Sequence, residues 1–200
     1  EINPVAINYV SLANTTDEFE QILDENPFLR TSFDQQFISG LTYSFIYNGM
    51  LDTQRQHQIY LNANFETAGN SLSLIASGEK PQNIFGLDYA QFARVDADFR
   101  YHFKLTEKQT IATRLFAGVG IPYGNSDVVP YTKQYFSGGP YSVRAFRTRS
   151  LGPGTYQPED SETFSYYDQT GNLRLEANLE YRFPLVSLLQ GAFFVDAGNV

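Results

Sequence analysis

Hydrophobic and polar positions alternate with a period of two over several stretches of this chain. The strongest runs from residue 172 to 183, where Leu173, Leu175, Ala177, Leu179, Tyr181 and Phe183 alternate with Arg174, Glu176, Asn178, Glu180 and Arg182. Successive side chains of a strand point to opposite faces, so this pattern predicts a strand with one apolar and one charged face. Its length suits a tilted membrane-crossing strand of ~9–11 residues. Such a strand turns its apolar face to lipid and its polar face to a hydrated interior. A half-buried strand of a soluble sheet alternates in the same way.

Residues 94–103 repeat the pattern, with Val95, Ala97, Phe99, Tyr101 and Phe103 set against Arg94, Asp96, Asp98, Arg100 and His102. Residues 57–66 set Ile59, Leu61, Ala63 and Phe65 against Tyr60, Asn62, Asn64 and Glu66. Further rows run from Phe37 to Tyr47, broken by Ser39, and from Ile111 to Ile121, broken by Thr113. Residues 192–200 and, more weakly, 2–10 complete the predicted strands. Short connections (48–56, 106–108, 184–189) alternate strictly with long ones (11–30, 67–91, 124–171). An up-and-down wall would then carry short turns at one rim and long loops at the other, as outer-membrane barrels do. Thr16 followed by acidic residues predicts a short helix over residues 16–23. The expected fold is all-β: part of one antiparallel transmembrane β-barrel domain over residues 1–200.

Composition adds limits. The 200 residues include 17 Phe and 14 Tyr, which favour strands, and no Cys, which removes disulfide and thiol chemistry. No apolar run approaches the ~18 residues of a membrane helix, which leaves strand-crossing proteins open. The net charge of −8 argues against general nucleic-acid binding. The polar faces instead carry opposite charges at close spacing, Arg94/Asp96/Asp98/Arg100 and Arg174/Glu176/Glu180/Arg182, suited to cross-strand ion pairs bracing a lumen. On that view Asn178 is an interior position that tolerates substitution better than Leu175. The chain opens at Glu1 without a signal-peptide pattern and stops in mid-pattern at Val200, so it is expected to be a piece of a longer protein.

Residues 134–154, QYFSGGPYSVRAFRTRSLGPG, break the alternation. They are too rich in Gly for a strand, yet Phe136, Val143, Phe146 and Leu151 are large and apolar and three arginines lie among them. This predicts a packed, functional loop. The segment resembles the loop motif of the BamA/TamA superfamily of outer-membrane β-barrels, the bacterial surface antigen family. The matches are Gly138-Gly139, Val143-Arg144-Ala145-Phe146 and Gly152-Pro153, followed by Gly154. Two strand motifs follow in the family's order: Leu179-Glu180-Tyr181 with Pro184, and Phe194-Val195-Asp196-Ala197-Gly198-Asn199-Val200.

The resemblance implies middle-to-late strands of a sixteen-stranded barrel preceded by periplasmic modules. It implies that Arg144 folds into the lumen against Glu180 and Asp196, with Val143, Phe146 and Phe194 around it. The polar-face positions of Glu180 and Asp196 agree with this, and a guanidinium can grip carboxylates in a two-pronged geometry that lysine cannot copy. Ala145 stands where the family has Gly. If that position needs φ > 0, alanine costs about 1–2 kcal/mol; otherwise the backbone there is ordinary. The implied role is inserting client β-barrel proteins into the outer membrane, with outer-membrane lipid and periplasmic or lipoprotein accessory subunits as partners. The resemblance also implies a seam between the first and last strands that opens, which this chain is expected not to contain. Alternatives are a conduit secreting a soluble partner protein, a small-molecule porin, and a soluble β-sandwich.

No catalytic residues, metal ligands or cofactor motifs are expected. Asp96 and Asp98 read as lumen carboxylates, Arg147 and Arg149 as ordinary loop or lumen charges, and His57 and His102 lack ligand spacing. Gly118 and Gly120 within a strand predict close packing or a bend.

Overall fold

Each alternating stretch forms a strand in the computed structural model, which describes residues 1–10, 16, 36–76, 78, 80–84, 86–155, 169–186 and 188–200. The strands are β1 (Ile2–Val10), β2 (Gln36–Asn48), β3 (His57–Ala68), β4 (Asn83–Ile84), β5 (Leu87–Asp88), β6 (Phe92–Thr106), β7 (Gln109–Pro122), β8 (Leu173–Pro184) and β9 (Gln190–Asn199). Seven make one sheet in the order β1-β2-β3-β6-β7-β8-β9, while β4 and β5 form a separate ladder. Among the described residues β1 and β9 each have one neighbouring strand. The ladders β1–β2, β7–β8 and β8–β9 are antiparallel. Apart from the small ladder, each strand pairs with the next in sequence, so the sheet is an up-and-down meander.

The short connections, residues 49–56, 107–108 and 185–189, alternate with the long ones, 69–91 and 123–172. The predicted helix over 16–23 lies outside the described residues. Residues 67–91, read from sequence as plain loop, carry a helical turn at Asn70–Ser73 and the β4–β5 ladder. Elements of two to four residues are too short to leave a periodic trace. The turn 49–56 is braced by an Arg55–Asp52 ion pair of 2.9 Å. The Gln54 backbone N–H, which donates to the same carboxyl, and then the Arg55 guanidinium hold Asp52 below the usual carboxylate range.

The chain falls into two compact units. One comprises Glu1–Tyr43, Phe65–Arg94 and Gly120–Gln134. Its core is Ile38, Ala68, Ala90, Phe92 and Val129. Its connecting segments are tied by Asn125, whose Nδ2 donates to Gln82 O (2.8 Å) and Tyr89 O (3.0 Å), and by Gln91 N donating to Ser126 Oγ (2.8 Å).

The other comprises Ser44–Asn64, Val95–Val119 and Tyr135–Val200. Here burial is the reverse of a soluble sheet. Leu115, Leu175, Leu179 and Val195 are 55, 55, 50 and 69% exposed, whereas Glu176 and Asp98 on the opposite face are 4 and 8% exposed. The register aligns these faces: Arg114↔Asn178↔Asp196 and Phe116↔Glu176↔Gly198 cross the three strands on the polar side. A soluble sandwich buries its apolar face against a second layer. In this unit the covered face is the charged one, and its cover is the loop that follows Gln134.

Candidate functional site: an arginine-anchored loop

The loop enters over the polar face at Tyr135. Tyr135 exchanges backbone hydrogen bonds with Gly171 (2.8 and 2.9 Å). Its hydroxyl donates to Val95 O (3.1 Å) and Asp96 Oδ2 (3.2 Å). The ring lies on Gly118, where a Cβ would stand 2.7 Å from the Tyr135 ring. Gly118 is therefore a seat for the loop.

Gly138 and Gly139, at φ 99° and 96°, then reverse the chain in a region closed to ordinary L-residues. Gly139 N donates to Phe146 O at 2.8 Å, closing a tip of residues 139–146 that carries Arg144. Ala145 is not in the positive-φ region; Arg149 is, at φ 60°. The glycine-to-alanine difference in the motif is thus free of backbone strain. Further along, Gly152 and Gly154 have φ of 86° and 59°, and Gly154 N donates to Val200 O at 2.7 Å.

At the tip, Arg144 donates from Nε to Asp196 Oδ2 (2.7 Å), from Nη2 to Asp196 Oδ1 (2.8 Å), and from Nη1 to Glu180 Oε2. Its backbone N–H adds a bond to Asp196 Oδ2 at 3.1 Å. The guanidinium lies 3.7 Å above the centre of the Phe194 ring. The two-pronged contact fixes orientation as well as charge, and the ring face adds cation–π attraction. These bonds, foremost that to Asp196, raise the Arg144 pKa further above its ordinary value, so it stays charged at every working pH. Val143 beside it is buried, and it reaches β9 because Gly198 has no side chain: a Cβ there would stand 3.0 Å from Val143 Cγ2.

The structure thus brings Arg144, Glu180, Asp196, Val143 and Phe194 together. Phe146 departs from the expectation. The residue is 48% exposed and serves the tip through its backbone. Asn178 also departs from it. Its Nδ2 donates to Ser142 O (2.8 Å) and Asp196 Oδ1 (2.9 Å), so it ties loop to strand and is no tolerant interior position. Arg149 stacks on the loop's own Phe136 at 4.4 Å. His57 Nδ1 meets the Tyr101 hydroxyl at 2.7 Å.

Sequence reasoning missed a second anchor. The Glu176 side chain is fully buried and takes hydrogen bonds from Ser137 Oγ (2.8 Å), Ser142 Oγ, Arg174 Nε (3.0 Å) and Arg114 Nη1 (3.1 Å). Arg114 in turn grips Asp98 through Nε and Nη2 and donates to Tyr141 O at 3.0 Å. It links β6, β7, β8 and the loop. The polar-face position of Glu176 was legible, but two serines 34 and 39 residues away in sequence carry no mark of it. Beside the two anchors lies a cleft of 320 Å³, lined among others by Arg100, His102, Arg114, Arg144, Glu180 and Arg182.

Residues 32–200 match the Omp85 superfamily domain. The chain belongs to the Omp85 superfamily. It is a β-barrel protein of the bacterial outer membrane, in a superfamily whose coarse function is the insertion or translocation of proteins at that membrane. Half of this Omp85 chain, over 105 residues, is 29% identical to the outer membrane protein assembly factor BamA of Neisseria meningitidis serogroup B. The chain spans 13% of that relative's length.

Proposed function

We propose that residues 1–200 supply part of one barrel domain of an assembly factor that inserts client β-barrel proteins into the outer membrane, with the Arg144 tip of the loop between β7 and β8 folded into the lumen. The observation that carries this reading is the fork from Arg144 to Asp196 and Glu180. Ordering a long loop costs roughly 1–2 kcal/mol per residue in backbone entropy, so a loop held inside needs strong, specific anchors. Two anchors built from buried charges are wasted in a pore for small solutes, whose lumen has to stay open. They suit a wall that has to keep its shape while another part of the barrel offers an unpaired strand edge to a client. The role is non-enzymatic: binding, templating and release. Periplasmic or lipoprotein subunits would deliver clients.

Depletion of the gene in its native host, followed by a survey of folded outer-membrane barrels, tests this reading. Loss of many unrelated barrels is the expected result. Intact barrels together with loss of one secreted soluble protein would support a secretion conduit instead.

A further inference from the structure

The turn between β8 and β9 is unlike the other short turns. Leu185, Val186, Leu188 and Leu189 are 59, 71, 95 and 65% exposed, and no charged residue occurs between Arg182 and Asp196. The turn 49–56 carries the Asp52–Arg55 pair, and the turn 107–108 is Glu-Lys. The β8–β9 turn is well formed, with Leu185 N donating to Leu189 O and Leu189 N to Val186 O, both at 2.9 Å. Its aliphatic side chains are therefore held outward by a closed backbone. Turns are ordinarily polar because water surrounds them. Four aliphatic residues on a five-residue turn, interrupted only by Ser187, cannot bury one another.

The surface next to this turn names what covers it. On the apolar face Tyr181, Phe183 and Phe193 stack, with ring centres 5.4 and 5.2 Å apart. A cluster of outward aromatics close to the strand ends is the chemistry of a membrane interface. Gly191 leaves space there: a Cβ would stand 2.8 Å from the Phe183 ring and 3.3 Å from Leu185 Cδ1. Leu185 thus continues the aromatic belt, and the apolar surface runs unbroken from the lipid-facing strands over the rim. A protein-docking patch ordinarily carries charged side chains near its rim to fix its partner; from Phe183 to Val195 this hairpin end carries no charge.

We propose that the β8–β9 turn is immersed in the headgroup and upper acyl region of the bilayer, so that lipid covers it. The turn thereby fixes the height of the hairpin that carries Glu180 and Asp196. This rests on the placement of β8 and β9 in the bilayer.

The test uses full-length protein in phosphatidylethanolamine–phosphatidylglycerol vesicles, with single cysteines carrying an environment-sensitive fluorophore. The positions are Leu188→Cys in the turn, Lys108→Cys in the polar turn, and Val195→Cys on the outward face of β9. Heat-modifiable mobility selects folded protein. The expected result at residue 188 is emission blue-shifted from that at 108, resistant to iodide and quenched by lipid spin-labelled near the headgroup. Emission and iodide quenching equal to those at 108 would overturn the proposal. So would a blue shift that spin-labelled lipid leaves untouched, which would mark a protein cover. Residue 195 should be quenched by mid-chain spin label; without that quenching the spanning placement fails, and the turn proposal fails with it.

Discussion

Replacing Arg144 by lysine keeps the charge and removes the fork. In the structure Arg144 makes three side-chain bonds to two carboxylates, and the Asp196 side chain is 4% exposed. A hydrogen bond to a charged group contributes about 1.5–3 kcal/mol, and such contributions do not add when they share partners. Asp196 also keeps two other donors, Asn178 Nδ2 and the backbone N–H of residue 144. The Arg144 side chain is about a quarter exposed, which softens the loss further. Arg144→Ala should therefore cost about 2–4 kcal/mol, and Arg144→Lys about 1–2, because an ammonium donates from a single nitrogen and cannot span Asp196 and Glu180 as the planar fork does. The assay is urea unfolding of the full-length protein in lipid vesicles, with the folded fraction read by heat-modifiable gel mobility. A double-mutant cycle with Asp196→Asn isolates the pair, and a coupling of about 1.5 kcal/mol or more is expected. Coupling below ~0.5 kcal/mol, or lysine as stable as arginine, would refute the fork as an anchor.

The second anchor should behave likewise. Glu176→Ala leaves Arg114 and Arg174 without that carboxylate and frees Ser137 and Ser142, so limited proteolysis should cut within residues 135–151 several times faster; unchanged cleavage would count against it. Gly118→Val places a side chain against the Tyr135 ring and should destabilise by about 1–3 kcal/mol in the same urea assay. Leu175→Arg should cost about 2–4 kcal/mol if the residue lies near the bilayer midplane, and no loss of folded protein would argue against lipid contact there. Cysteine labelling of intact cells should reach Asp127→Cys and not Lys108→Cys, and the reverse pattern would invert the rims.

The sequence by itself determined the strands and their faces. Period-two alternation is a local property, and every long strand retains it because a single slip would turn apolar side chains into the polar interior. The loop's importance was legible as well, since Gly138-Gly139 and Val143-Arg144-Ala145-Phe146 break the alternation conspicuously, and the partners Glu180 and Asp196 lie on the polar face. What only the tertiary structure decided is which groups meet across long stretches of chain. Glu176 reaches Ser137 and Ser142, and Asn178 joins Ser142 to Asp196, because the Gly138-Gly139 reversal and the seat on Gly118 set the loop's depth over the strands. Phe146 shows the converse: a large apolar residue inside the motif is used for its backbone, and the residue stays half-exposed. Neither outcome has a sequence signal, because polar contacts and side-chain burial inside a folded loop depend on where its turns place it, and the chain's periodicity says nothing about that.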